Sequence, residues 1–456
     1  MIAVREVKPS EIMSSVLSRI EKLNPKLNAF CTITHDSAMA EAREADKQMF
    51  KEKDQGLLFG LPVSVKDLIF TKGIRTTFAS KMHENFIPDQ DEVAVERLKA
   101  AGAIIIGKTN TCEYGYKAVT DSPLWGITRN PWNPKMTPAG SSGGAGAAVA
   151  SGMGPLALGS DAGGSIRAPA GFCGIFGLKP SRGRIPIHPL LPGWETLDRR
   201  VVHNGPLTRT VADAAMMMEV MAGPHDRDPL SLTGGNLNYR EEIKKGVRGL
   251  RIAWSQDLGH VVVDPVVREA AEDAVRIFSR MGCDVEEATP DFPLMHDDYR
   301  LLFAADCAAA IGGRLEEWKD LLDPGLARLT EIGLKATAAD YASAVNRCHM
   351  LWKRLQPFFA KYDLLLTPTL PLPPFSVGID WPGEVAGHKV HPLNFLGFTY
   401  PFNLTGQPAA SLPCAWTSDN LPIGLQIIGR PLEDLMVLRA AAAFEEARPW
   451  KDKWPC

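Results

Sequence analysis

Ala139-Gly140-Ser141-Ser142-Gly143-Gly144 is followed, after a small-residue segment, by Gly159-Ser160-Asp161-Ala162-Gly163-Gly164-Ser165-Ile166-Arg167, and these two glycine-flanked serine clusters decide how the chain reads. Upstream stands Gly60-Leu61-Pro62-Val63-Ser64-Val65-Lys66-Asp67, where the alternation of Val63 and Val65 predicts a strand that delivers Lys66 to its end. Two serines and a lysine suffice for a hydrolase without histidine. A serine hydroxyl is a poor nucleophile until a base takes its proton, and a lysine is that base only where burial or neighbouring cations favour its neutral form. A second serine can relay the proton. Glycines matter because backbone N–H groups must come close to a developing oxyanion, and Ala162-Gly163-Gly164-Ser165 are the candidate donors.

With these motifs the chain resembles the amidase signature family: GLPVSVKD, the GSSGG loop and GSDAGGSIRAPA occur in register, 75 residues separating Lys66 from Ser141 and 24 separating Ser141 from Ser165. The resemblance implies that Ser165 is the nucleophile, Ser141 the relay serine and Lys66 the terminal base. Ser142, Asp161 and Arg167 support them. It also implies a cis peptide bond before Ser141, and Ala139 departs from the family pattern, which often shows a second glycine there.

Other readings of the same residues compete. Ser141 or Ser142 is equally an N-cap for a helix that starts at Gly143-Gly144, and Lys66 beside Asp67 is by itself a solvated ion pair. Gly102-Ala103-Ile104-Ile105-Ile106-Gly107-Lys108-Thr109 matches the phosphate-loop pattern, but three isoleucines make a strand rather than a cradle. The run Glu92 to Ala101 before it reads as a helix, so the order is helix, strand, loop. Gly140-Ser141-Ser142-Gly143-Gly144 also fits the nucleophile elbow of the α/β-hydrolases, with Ser142 as nucleophile. The segment before it, Asn130 to Pro138, is a proline-punctuated loop instead of the strand that elbow requires. Gly152-Met153-Gly154-Pro155 is a broken dinucleotide fingerprint.

Eight cysteines at 31, 112, 173, 283, 307, 348, 414 and 456 form no C-x-x-C pair, so they read as reduced thiols without a zinc site or a disulfide framework. Cys173 reads as a buried hydrophobe rather than a rival nucleophile. His388 and His391 sit in a Pro/Gly-rich loop with no carboxylate at ligand spacing, so no metal and no cofactor are expected. Lys+Arg 50 against Asp+Glu 53 gives a net charge of −3, which advertises neither nucleic acid nor an anionic membrane. No apolar run reaches a spanning length, and the expectation is a cytoplasmic protein, monomer or homodimer, acting on a small-molecule amide or carbamate.

Ile12, Val16, Leu17, Ile20 and Leu23 mark an amphipathic helix after Pro9-Ser10, and residues 29–33 read as a strand. Further short apolar strands are expected at 104–106, 156–158, 252–254, 364–366, 410–412 and 425–428, with helices at 266–278 and 435–444 between them. Such alternation predicts an α/β fold. The resemblance implies a single domain over 1–456 with one large twisted mixed β-sheet enclosed by α-helices, its catalytic core at about 60–210 and a variable substrate-loop region at about 290–400. Pro368 to Asn394, rich in proline and glycine, reads as a long excursion near the site.

Two function classes stay open. One is a stand-alone hydrolase of amides, anilides, carbamates or esters. The other is the glutaminase subunit of a tRNA-dependent amidotransferase, which carries an aspartate for the substrate's ammonium a few residues before its P-x-N-L segment. Leu396 stands at the matching position here. With Tyr114 and Phe398 it is expected to wall an apolar pocket that favours aryl substrates over glutamine. A binding protein with a decayed site is a third class, set against three intact triad positions.

Overall fold

Lys66 and Asp161 end two strands on the same side of the sheet because the strands that carry them are parallel neighbours. The computed structural model describes residues 2, 5–49, 55–190, 201–234 and 237–455; residues 191–200 of the expected core and Cys456 lie outside the described residues. The strands are β1 (Phe30–Ile33), β2 (Pro62–Lys66), β3 (Ile104–Thr109), β4 (Leu156–Asp161), β5 (Phe176–Lys179), β6 (His203–Thr208), β7 (Arg251–Trp254), β8 (Asp284–Glu287), β9 (Leu364–Pro368), β10 (Glu384–Val385), β11 (His388–Lys389), β12 (Ala409–Trp416) and β13 (Pro422–Gly429). Eleven of them form one sheet in the order β1-β3-β2-β4-β6-β5-β12-β13-β9-β7-β8, and β10 and β11 form a separate hairpin. Pairings β2/β3, β2/β4, β7/β8 and β7/β9 are parallel and the rest antiparallel, so the sheet is mixed, as the family resemblance implies.

Helices cover the sheet: α1 (Pro9–Leu27), α2 (His35–Gln48), α3 (Val93–Ala100), α4 (Gly143–Ala150), α5 (Arg167–Cys173), α6 (Val211–Met221), α7 (Tyr239–Glu242), α8 (Pro265–Arg280), α9 (His296–Ile311), α10 (Leu315–Trp318), α11 (Pro324–Lys335), α12 (Ala338–Lys361), α13 (Pro401–Thr405) and α14 (Asp434–Ala447). Their sequences say why they form. In α8, Asp264 caps the Val266 N–H, Pro265 opens the first turn, and Val267, Ala271, Ala274, Val275 and Phe278 fall on one buried stripe. Phe278 stacks on Phe444 of α14, ring centroids 5.6 Å apart, which locks these two helices over the sheet. In α12, Thr337 and Asp340 close a capping box. The region 290–400, expected as a substrate-loop region, is largely helical, since α9 to α12 fill most of residues 296–361. No helix among the described residues is long and apolar enough to cross a membrane.

The phosphate-loop lookalike is α3 running into β3, with Lys108 buried on the strand. The last glycine of GSSGG is demanded by backbone contact: a Cβ on Gly144 would lie 2.5 Å from the Ala29 carbonyl oxygen and from the Asn110 backbone. Neither partner can yield without breaking the join of α4 to β1 and β3. Gly144→Ala should therefore lower the unfolding free energy by about 1–3 kcal/mol, measured from the midpoint shift in urea. An unchanged midpoint would show that this join is not close-packed.

Candidate active site

Strand alternation points Lys66 away from its neighbour Asp67, and both are fully buried. They do not form the solvated ion pair of the simplest reading. Asp67 accepts from the backbone N–H and the hydroxyl of Thr77. Lys66 Nζ lies 2.7 Å from Ser141 Oγ, 3.1 Å from Ser160 Oγ and 3.2 Å from the Ser160 carbonyl oxygen. Burial pushes the Lys66 amine down to about 7, more than the charges of Cys112 and Asp161 hold it up. A neutral amine has one lone pair and two N–H groups. Its partners are the hydroxyls of Ser141 and Ser160 and the Ser160 carbonyl oxygen, and because a hydroxyl both accepts and donates, Ser141 accepts from the amine or donates to its lone pair as the proton count changes.

The Gly140–Ser141 peptide is cis. Just before it, Ala139 is held at φ 60°, in the left-handed region where an alanine costs roughly 1–2 kcal/mol, which is the physical sense of the glycine often found there. Ser142 stands at the N-cap position of α4, but its hydroxyl caps nothing: it donates to the Ser160 carbonyl oxygen at 3.1 Å. Its backbone N–H donates to the Ser165 carbonyl oxygen at 3.1 Å, tying the two serine clusters together.

Asp161 shapes the loop that carries Ser165. Its carboxylate accepts from the backbone N–H groups of Gly164 (2.7 Å), Ile166 (3.1 Å) and Arg167 (3.4 Å), from the Arg167 guanidinium (2.9 and 3.0 Å) and from Asn403 Nδ2 (2.9 Å). Burial alone would raise this carboxyl, yet the Arg167 charge and these hydrogen bonds hold it well below the usual carboxylate range. Arg167 also donates to the Thr399 carbonyl oxygen, Gln426 and Asn403. The consequence is a correction to the expected donor set: the Gly164 N–H is committed to Asp161, at a residue whose φ of +138° turns its peptide inward. Ala162, Gly163 and Ser165 remain as candidate donors. The Gly163 carbonyl is tied back by the Thr399 hydroxyl (2.6 Å), and a Cβ on Gly163 would lie 2.1 Å from the Tyr299 hydroxyl.

Ser141, Ser160, Ala162 and Ser165 line one cavity together with Tyr114 and with apolar side chains that include Leu68, Phe78 and Phe303. Tyr114 is therefore where the sequence placed it, whereas Leu396 and Phe398 are not among the lining residues. Leu396 packs behind Gly164, and Phe398 is core whose carbonyl accepts from Gln426. The Pro368 to Asn394 excursion also contributes no lining residue; its Asp380 pairs with Lys117 at 2.8 Å, and neither residue lines the cavity. Sequence reasoning missed Ser160, Gly115, Glu92, Asn204 and Asp306 in this cavity. Ser160 was visible as the strand residue whose alternation opposes Asp161, whereas Gly115 follows Tyr114 in a turn, φ 50° at Tyr114, that no sequence pattern announces. Cys173 is fully buried and its thiol is pushed up by burial, which ends its candidacy as a nucleophile.

A family model described as Amidase matches residues 11–438. The sequence is 38% identical to an acylamidase of Rhodococcus erythropolis over 100% of the chain and 95% of that protein. It is 36% identical to a glutamyl-tRNA(Gln) amidotransferase subunit of Thermosynechococcus vestitus over 99% of the chain and 97% of that protein. Among solved structures, a bacterial aryl acylamidase of the amidase signature enzymes superposes with a TM-score of 0.92 at 30% identity, covering 98% of this chain and 94% of that one. A 6-aminohexanoate cyclic dimer hydrolase complexed with substrate superposes with a TM-score of 0.90 at 30% identity, covering 99% and 96%.

Removing one partner of the Asp161–Arg167 pair leaves a charge buried without compensation. Arg167→Met should cost about 3–5 kcal/mol at pH 7. The sign with pH follows from the shift: wild-type Asp161 keeps its contribution above ~pH 4 and loses it only as pH falls through its depressed folded value, while the unpaired carboxyl of the variant protonates earlier. Urea unfolding should show the gap between the two proteins shrinking from pH 7 towards pH 4. A gap that widens would place the pair's effect elsewhere.

Proposed function

The chain belongs to the amidase signature family and is an enzyme that hydrolyses carbon–nitrogen bonds, and on that premise we propose that it does so through an acyl-enzyme on Ser165, with Ser141 as proton relay and Lys66 as base. The observation that carries this reading is the buried 2.7 Å contact between Lys66 Nζ and Ser141 Oγ, at a lysine that burial pushes down to about 7, where its neutral form is populated at neutral pH. Ser165 Oγ attacks the substrate carbonyl while its proton passes through the Ser141 hydroxyl to Lys66. The carbonyl oxygen becomes an oxyanion facing the N–H groups of Ala162, Gly163 and Ser165. The same relay run backwards protonates the leaving amine, and water then repeats the sequence on the acyl-enzyme.

The apolar wall of Leu68, Ile69, Phe78, Ile187, Val202 and Phe303 supports a neutral small-molecule substrate, an anilide or other amide, with carbamates and esters open to the same cycle. The 38% identity to an acylamidase agrees. A second reading, the glutaminase component of a tRNA-dependent amidotransferase, draws on the 36% identity to a chain of that enzyme. Purified protein without partners separates them: the stand-alone enzyme turns over a simple anilide with a kcat/KM well above that for glutamine. The reverse ranking favours the amidotransferase component.

Ser165→Ala should lower amide hydrolysis by at least about 10³-fold while leaving the unfolding midpoint unchanged, measured by turnover on an anilide. More than a few per cent of wild-type activity would remove Ser165 from the nucleophile's role.

Lys66 accepts a proton only when neutral, so kcat/KM should fall about tenfold per pH unit below an apparent pKa near 7, where the lysine becomes an ammonium. In Lys66→Ala the loss should be larger for an amide than for its matched activated ester, because the better leaving group needs less help from the relay while the oxyanion donors persist. The measurement is the pH profile of both substrates with both proteins. Equal losses with the acid limb unchanged would make Lys66 structural.

A further inference from the structure

Asn204 on β6 lies opposite Ser160 on β4 in the antiparallel register. Opposed residues of such a pair project from the same face with Cβ atoms about 4.5–5.5 Å apart, so Asn204 stands one strand away from the serine that holds Lys66 Nζ. Asn204 and Ser160 both line the cavity with Ser141 and Ser165. Asn204 Nδ2 donates to Glu92 Oε1, and Glu92, the residue before α3, lines the same cavity. The two side chains are 2% and 3% exposed. They form a buried polar patch in a wall that is otherwise largely apolar, and the proton relay does not use them, since the bonds of Lys66 Nζ run to Ser141 and Ser160.

The geometry points to the Asn204–Glu92 pair as a specificity subsite that holds a neutral hydrogen-bonding group of the substrate, a carboxamide or hydroxyl, carried away from the bond that is cleaved. This rests on the hydrolase reading above and names the substrate class for it. After its bond to Glu92, Asn204 still has a second N–H to donate and a carbonyl oxygen to accept with, and Glu92 has its second oxygen. Burial pushes the Glu92 carboxyl well above the usual carboxylate range, outweighing Lys108 and the Asn204 hydrogen bond, and the Asn204 amide by itself sets an N–H donor beside a carbonyl acceptor. Donors and acceptors side by side fit a neutral dipole. An apolar substituent seated there would strip these groups of water and leave them unpaired, and that penalty is the origin of the selectivity.

The test uses the purified full-length chain and kcat/KM for two matched pairs of anilides. One pair carries a hexanoyl acyl group with or without a terminal carboxamide; the other carries a ring with a para-methyl or a para-carboxamide group. The wild type should prefer the carboxamide member by about 10-fold or more in at least one pair. Asn204→Leu should bring that ratio to about 1, with the loss falling on the carboxamide member, and Glu92→Leu is read the same way if the first variant does not fold. Glu92→Gln, which keeps a donor and an acceptor without a charge, should retain the preference. No wild-type preference in either pair, or equal proportional losses on both members in the leucine variants, would overturn the subsite. So would a preference abolished in Glu92→Gln and replaced in the wild type by one for a terminal-ammonium substrate, which would mark Glu92 as a charged partner. Failure of the wild type to hydrolyse any of the four anilides overturns the hydrolase reading and the subsite with it, whereas hydrolysis without preference overturns the subsite alone.

Discussion

An ammonium group taken out of water gives up its hydration, and unless charge replaces it the proton leaves. That constraint on Lys66 organises the site. To keep the amine dry, β2 has to be an interior strand of the sheet, flanked by β3 and β4 on its two edges. To keep it useful, its hydrogen bonds have to come from groups that tolerate either protonation state, and hydroxyls do. Ser141 and Ser160 donate or accept by rotating one bond, whereas a carboxylate at the same distance would have fixed the proton on the lysine.

Asp161, the buried carboxylate whose charge acts on Lys66, is kept occupied instead. It follows Ser160 on β4, so alternation turns it to the other side of the strand, where Arg167 and Asn403 meet it. Its oxygens also gather backbone N–H groups of the turn that leads into α5, and this fixes the direction in which Ser165 is presented. One ion pair thus neutralises a charge that would otherwise raise Lys66 further, and bends the loop that brings the second serine to the cavity. The pair costs desolvation on both sides; the number of hydrogen bonds each member makes is what offsets it.

The strands of the sheet, and the meeting of Lys66 with Ser141 beside the cavity that Ser165 lines, were legible because their signals are local. Alternating valines before Lys66, three isoleucines in β3 and the apolar runs of β9, β12 and β13 all mark buried strands, and the expected strands occur. β8, Asp284–Glu287, was not legible: it sits at the sheet's edge with a polar surface, so no hydrophobic pattern distinguishes it. The pocket wall was misjudged for a different reason. Leu396 and Phe398 are apolar and close to the site in sequence pattern, but apolarity does not say whether a side chain faces a cavity or the core behind it. Gly164 was misassigned because a glycine beside an oxyanion donor and a glycine whose own N–H is consumed by an aspartate three residues earlier look alike in a sequence. Only the register of β4 with β6 brought Asn204 to Ser160, and that pairing joins residues far apart in the chain.

The phosphate-loop lookalike shows what else a lysine needs, besides burial, to serve as a base. Lys108 is as buried as Lys66, and burial pushes it down as well, to about 8. In the parallel register Val65 pairs with Lys108 and Lys66 with Thr109, so alternation places the two lysines on opposite faces of the sheet. Lys108 Nζ bonds to the Ile69 carbonyl oxygen and to the hydroxyls of Thr71 (2.8 Å) and Thr76 (3.0 Å), which pins the segment following β2 against β3. None of its partners is a serine that opens onto the cavity. Two lysines with similarly weakened hold on their protons therefore have different uses: one braces the loop after Lys66, and the other faces a hydroxyl that lines the same cavity as Ser165. Desolvation weakens the hold of both amines on their protons, and the identity of the neighbouring hydroxyl decides which of them is connected to the cavity, since Ser141 lines it and the partners of Lys108 include no serine.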